Sequence, residues 1–201
     1  MPGTVYLVRH GHAASIGEWL AGWTPGIHLD DLGREQARTA AEQLRHVRLK
    51  CVYTSPLERC YETAQVIADV NNVPVRVDHR FGEFDFGEWT GLTFDELRKD
   101  PRFEFFNRIR SQAGAPGGET AVQAQHRIVS GIEEIARRHA GQPVAIVSHA
   151  DMIRYALAHY RGVALDDVLQ IDVEPGAVIG VQIEAVKAID HRDGYHARRA
   201  T

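Results

Sequence analysis

The sequence predicts an α/β fold in which a mostly parallel sheet carries helices on both faces. Three observations point that way. Short apolar runs at Val5–Val8, Cys51–Thr54, Pro74–Val77 and Val144–Val147 read as buried strands. Stretches of helical spacing separate them, and this strand–helix alternation is the pattern of a parallel sheet. Residues able to do chemistry stand just beyond three of the runs, where ligands of open α/β sheets gather.

The first run ends in Arg9-His10-Gly11, which places a fixed cation, a titratable ring and a residue without a Cβ at one strand end. From Ala13 to Leu29 the chain carries Gly17, Gly22, Pro25 and Gly26 with Trp19 and Trp23, too punctuated for a regular element, and reads as a long loop over that end. Asp30 caps a helix expected over 31–47, where Ala37, Ala40, Ala41, Leu44 and Val47 recur at helical spacing. After the second strand, Ser55 is expected to cap the next helix, with Pro56 at its first position and Glu58 completing a capping box. Arg59 then falls in the first turn, beyond a strand end, as Arg9 and His10 do.

All seven phenylalanines lie between Phe81 and Phe106, together with Trp89, Gly82, Gly87 and Gly91. This stretch reads as an excursion from the sheet, with short helices over 93–110 broken at Pro101. Such a cluster is expected to form a small satellite core. The functional alternative is an apolar wall around a substrate, with Trp19 and Trp23 opposite. Thr120 and Gln123 form another capping box, and the helix they open runs to about 140 with Val122, Ile128, Ile132, Ile135 and Ala136 on its buried side. The apolar run Val144–Val147 delivers Ser148-His149 to a strand end. A helix over 152–160 follows, then two strands near 168–173 and 177–183 joined at Pro175-Gly176.

The 201 residues suit one domain spanning 1–201, with an insertion at roughly 84–116 and a polar tail at 190–201. A net charge of −4 without a basic block argues against nucleic acid and anionic membranes as partners. The first apolar run is too short for a signal peptide or a membrane span, so a cytoplasmic protein is expected. Cys51 and Cys60 make neither a C-x-x-C pair nor a disulfide framework and read as buried thiols.

A parallel sheet would gather Arg9, His10, Arg59 and His149 in one crevice. Two guanidinium forks suit a tetrahedral dianion, and a phosphoryl group is the simplest ligand for that charge. No P-loop, dinucleotide fingerprint or H-E-x-x-H motif is present. Ser15 does not sit in a nucleophile elbow, because Ala13 stands where the first glycine would be. His10-x-His12 has the spacing of a strand-borne metal pair, as in amidohydrolases, but that reading needs a barrel of about 250 residues.

With these residues in view, the sequence resembles the histidine phosphatase superfamily, whose fold is phosphoglycerate-mutase-like. The resemblance rests on Leu7-Val8-Arg9-His10-Gly11, Leu32-Gly33-Arg34-Glu35-Gln36-Ala37, Ser55-Pro56-Leu57-Glu58-Arg59 with Thr63-Ala64, Glu83-Phe84-Asp85-Phe86-Gly87-Glu88-Trp89-Thr90-Gly91, Gly117-Gly118-Glu119-Thr120 and Ser148-His149. It covers nearly the whole chain in order.

The resemblance implies a metal-independent phosphomonoester hydrolase that uses no cofactor and acts on a small phosphorylated metabolite. His10 would attack phosphorus, while Arg9, Arg59, His149 and the backbone N–H of Ala150 would bind the phosphoryl oxygens. Glu83 would protonate the leaving oxygen and later activate water, and aromatic neighbours such as Phe84 and Phe86 would keep it protonated near neutral pH. Family mutases carry a longer insertion between the acid and the second histidine than the stretch from Glu83 to His149, which favours hydrolysis over phosphoglycerate-mutase-type transfer. A non-catalytic phosphate-binding module is the other alternative, and the presence of both His10 and Glu83 weighs against it. The chain departs from the family at His12, Ala13 and Ile16, where side chains that help hold phosphate are usual, leaving Ser15 as a substitute. It departs again at Ala150 and Asp151, where glycines are usual. Asp151 is expected to orient His149 or to repel highly charged substrates. The aromatic excursion hints at a leaving group with an apolar part.

Overall fold

The computed structural model describes residues 3–139 and 141–183. Strands β1 (Gly3–Arg9), β2 (Val52–Thr54), β3 (Val75–Val77), β4 (Val144–Ser148) and β5 (Val178–Ile183) form one sheet in the order β3-β2-β4-β1-β5. The first four run parallel, and β5 runs antiparallel along β1. The register pairs Arg9 with Ser148 and Thr54 with Val147, so β1, β2 and β4 end at one level.

Helices α1 (Asp31–Leu44), α2 (Glu58–Asn71), α3 (Phe94–Leu97), α4 (Pro101–Arg108), α5 (Ala121–Arg138) and α6 (Ala150–Arg161) connect them. Side chains alternate across a strand, so β1 sends Val5 and Leu7 to one face and Val8 to the other. Val8 packs with α1 and α2 through Ala41, Leu44, Ala64 and Ile67. Val5 and Leu7 pack with α5 and α6 through Ile128, Ile132, Ile153 and Tyr155. With both faces covered, β4 is apolar at Val144–Val147 and buried along its whole length. The local signals for α1 and α5 act as expected. Asp30 accepts from the Gly33 amide at 2.8 Å, and Thr120 and Gln123 close a reciprocal capping box.

Several expectations are corrected. The stretch expected as a strand near 168–173 instead contains a 3₁₀ helix at Leu165–Gln170. Its buried Val168 and Ile171 are three apart, the period of that helix, and β5 already occupies the free edge of β1. Val122 is 51% exposed, because the buried stripe of α5 runs through Ala121, Ala124, Ile128, Ile132 and Ile135 instead. The first helix ends at Leu44, short of Val47. The aromatic excursion is not a satellite core, since Phe84, Trp89 and Phe106 pack into the same cluster as Leu7 and Ile146. The polar tail at 190–201 lies outside the described residues. Among the described residues, no helix is long and apolar enough to cross a membrane.

Candidate active site

Where β1 ends, the His10 amide donates to the Ser148 carbonyl at 3.1 Å, and the chain leaves the sheet. It can do so closely because Gly11 and Gly33 interlock: a Cβ on Gly11 would lie 2.2 Å from the Gly33 carbonyl oxygen. The Gly11 amide donates to Thr63 Oγ1 at 3.1 Å. His10 Nδ1 lies 2.7 Å from the Gly11 carbonyl oxygen. A carbonyl only accepts, so Nδ1 carries the proton and Nε2 keeps its lone pair. Burial, reinforced by the Arg59 and Arg9 charges, lowers the His10 pKa to about 3.

Two guanidinium groups stand beside this ring, Arg59 buried and Arg9 partly buried. Arg59, in the first turn of α2, donates through Nη2 to the Gly22 carbonyl at 2.9 Å, while its Nη1 has no partner among the described residues. Arg9 donates through Nη1 to the Val173 carbonyl at 2.7 Å, and its buried Nε is likewise unpartnered.

His149 caps α6 and is fully buried, with its ring centroid 5.2 Å from that of His10. Its Nδ1 faces the Arg59 Nη2 donor at 3.3 Å, so the proton sits on Nε2 and is donated to Ser55 Oγ at 2.8 Å. Burial and the Arg59 charge hold His149 well below the usual imidazole range. Ser55 was expected as a helix cap. In the structure α2 starts at Glu58 with Leu57 as its cap, and the Ser55 hydroxyl receives both the His149 N–H and the Leu57 amide.

Glu83 places Oε2 3.5 Å from His149 Nδ1, and its Oε1 accepts from the Phe84 amide at 2.9 Å. Its backbone carbonyl is held from two sides, by Trp23 Nε1 at 2.6 Å and by Arg127 Nη2 at 3.0 Å. Trp23 packs so tightly over Gly82 that a Cβ there would lie 2.2 Å from the indole. Arg127 Nη1 donates to the Arg80 and Gly82 carbonyls, each at 2.9 Å, and Nη2 also bonds Glu119 Oε1 at 2.5 Å. Burial, helped by the Asp151 charge and opposed by Arg59 and Arg9, raises the Glu83 pKa to about 7.

Arg9, His10, Arg59, Glu83, Ala150 and Asp151 line one cavity of about 490 Å³, with His149 behind them. Ser15 and Ile16 also line it. His12 does not, because its Nδ1 bonds Asp30 Oδ2 at 2.5 Å, so the His10-x-His12 spacing brings no second imidazole to the cavity. Buried Ala13 bridges to Leu29 and fixes the loop instead of facing the cavity. Asp151 makes no bond to His149. Its two oxygens accept from Arg110 Nη1 at 3.1 Å and Arg154 Nη1 at 3.0 Å, and these cations keep it below the usual carboxylate range although burial opposes them. Trp19 lines the cavity, whereas Trp23 serves Glu83.

The sequence model of the histidine phosphatase superfamily, branch 1, matches residues 5–189. The chain belongs to that superfamily. Among similar proteins of known name, phosphoserine phosphatase 1 of Hydrogenobacter thermophilus is 31% identical over 79% of this chain and 76% of its own length. A 2,3-bisphosphoglycerate-dependent phosphoglycerate mutase of Parvibaculum lavamentivorans is 27% identical, covering 92% of each chain. Among solved structures, YhfR of Bacillus stearothermophilus superposes with a TM-score of 0.85 at 28% identity, over 90% of this chain and 92% of its own. The histidine phosphatase architecture thus extends through the aromatic excursion. Sequence reading missed Arg127 and the second use of Ser55. Arg127 lies two turns into α5, eight residues after the Glu119 of the Gly-Gly-Glu-Thr motif, and that spacing was its available signal.

Proposed function

We propose that this histidine phosphatase hydrolyses small phosphomonoesters through a phosphohistidine on His10. The observation that carries the reading is the pairing of a buried, unprotonated His10 Nε2 with a buried, unpartnered nitrogen on each of two guanidinium groups lining the same cavity. Buried donors of this kind are costly unless an acceptor arrives, and a phosphoryl dianion supplies several.

In the first step, Nε2 of His10 forms a bond to phosphorus as the bond to the alcohol oxygen breaks. Glu83, protonated at neutral pH, gives its proton to that oxygen. Arg9 and Arg59 neutralise the charge spread over the phosphoryl oxygens, with the Ala150 N–H at the open end of α6. His149 Nδ1 has no proton in the free enzyme. A bound dianion reverses the field that the arginines impose there, which favours a proton on Nδ1 and a hydrogen bond to phosphate. In the second step, Glu83, now a carboxylate, takes a proton from water as its oxygen attacks phosphorus and the Nε2–phosphorus bond breaks. The fixed cations supply the charge stabilisation these steps need. Trp19, Phe86, Phe94 and Phe103 line much of the rest of the cavity, and the Arg110 and Arg154 charges there are paired with Asp151, which supports hydrolysis over phosphoryl transfer between two anionic positions.

The test is turnover of a generic aryl phosphate by wild type and His10→Ala, with and without excess chelator. Wild-type turnover that survives chelation and is lost in His10→Ala supports the reading. An inactive wild type, or an equally active variant, contradicts it.

A further inference from the structure

The cavity is much larger than a phosphoryl group, and its composition changes with distance from His10. Beyond the arginines and Glu83, its walls are formed by Ile16, Trp19, Leu20, Phe86, Phe94 and Phe103. These walls are built rather than incidental. The loop after β1 is stitched to the aromatic excursion by a bridge between Trp19 and Thr93, by the Leu20 amide on the Leu92 carbonyl at 2.9 Å, and by the Gly91 amide on the Leu20 carbonyl at 2.8 Å. Phe94 opens α3 behind a closed capping box, and Phe103 rests edge-on against Trp89 with centroids 5.2 Å apart. Trp19 and Leu20 are therefore fixed in place relative to Phe94, and all three line the same cavity.

Several polar groups on this side of the cavity already bond one another. Both oxygens of Asp151 are taken by Arg110 and Arg154, and Arg110 Nη2 bonds Asn107 Oδ1 at 2.9 Å. The Arg110 side chain is only 4% exposed and lies over the Phe106 ring. A small zwitterionic alcohol would bring an ammonium group to a site whose carboxylate is spoken for, and would leave the aromatic walls unfilled. Apolar side chains reward a leaving group in proportion to the apolar surface it buries, and aromatic walls add the geometry of ring packing.

Resting on the phosphatase reading above, we propose that the substrate is the monoester of an alcohol bearing an apolar ring, seated against Trp19 and Phe94, rather than a phosphorylated amino acid or hydroxy acid. Phosphate recognition is left to Arg9, Arg59 and His10, and the aromatic walls select the alcohol.

The test compares 2-phenylethyl phosphate, ethyl phosphate and O-phosphoserine, all alkyl esters, so that leaving-group chemistry does not mimic recognition as it would with phenols. For wild type, kcat/KM for 2-phenylethyl phosphate should exceed that for each of the others by about tenfold or more. In Trp19→Ala and Phe94→Ala, the ratio of the 2-phenylethyl to the ethyl value should fall at least about fivefold. A ratio is independent of how much of a variant is folded, because both substrates meet the same active molecules. Phosphoserine turned over as well as, or better than, the phenylethyl ester would overturn the proposal while leaving the phosphatase reading intact, as would a ratio unchanged in both variants. Turnover of none of the three esters would overturn both.

Discussion

Arg127 reaches from α5 to the backbone carbonyl of Glu83 and donates to it through Nη2 at 3.0 Å. The same guanidinium holds the carbonyls of Arg80 and Gly82, so one side chain fixes the turn that delivers the Glu83 carboxyl to His149. Arg127→Met should lower kcat on the order of 10–100-fold with little change in KM, because a misplaced acid impairs proton transfer more than phosphate binding. It should also move the basic limb of the pH profile downward as Glu83 becomes better solvated. A lower melting temperature with an unmoved limb and unchanged kcat would mean that Arg127 serves stability alone.

The limb itself follows from burial. With Glu83 raised to about 7 and His10 lowered to about 3, the free enzyme has its nucleophile unprotonated and its acid protonated between those values. The profile of kcat/KM should therefore fall above about pH 7. Asp151 contributes to that position, since its negative charge disfavours a second one on Glu83. Asp151→Asn removes the charge and releases Arg110 and Arg154, and both effects lower the Glu83 pKa. The limb should move to lower pH in that variant; movement to higher pH would contradict the electrostatic assignment.

The same shift has a consequence for stability. The Glu83 carboxyl is raised from its usual 4.5 to about 7 by folding, so its favourable contribution is complete below pH 4.5 and is lost as pH rises through 7. A shift of that size corresponds to about 3 kcal/mol. Glu83→Gln, which cannot ionise, should gain on wild type by about that amount between pH 4 and pH 8 in denaturant melts, while losing activity. A stability difference that does not vary with pH would show that Glu83 titrates normally.

Ser55→Ala takes away the oxygen acceptor of the buried His149 N–H and leaves it only the weakly accepting Cys60 sulfur at 3.4 Å. An unsatisfied buried donor costs about 1–3 kcal/mol, so the variant should be destabilised by that amount in urea. Its kcat should also fall, because Ser55 fixes which nitrogen of His149 faces Arg59 and Glu83. Unchanged stability and kcat would place the His149 orientation elsewhere.

Much of this arrangement was legible in the sequence. Apolar runs that end abruptly in Arg9-His10 and Ser148-His149 mark strand ends from a short window, and the parallel order then brings those ends together. Glu83 was different: no periodicity or spacing distinguishes it from a solvated loop carboxylate, and only its surrounding motif pointed to it. Arg127 and Ser55 were less legible still, since each acts across the fold on a backbone carbonyl or a ring nitrogen far away in the chain. The stretch containing Val168, Ile171 and Val173 looked like a strand because three β-branched residues fall within six positions there. The sheet decided otherwise, because β5 takes the edge of β1, and Gly176, at φ 80°, donates its amide to the Arg9 carbonyl to begin that return.

The most direct measurement is to capture the enzyme in mid-turnover. Wild type mixed with excess aryl phosphate, quenched in base and digested, should yield one peptide heavier by a phosphoryl group, with the modification on His10, labile to acid and absent from His10→Ala. Intact substrate consumption with no phosphorylated peptide, or with the phosphoryl group on Ser15 or His149, would contradict the assignment of His10 as the nucleophile.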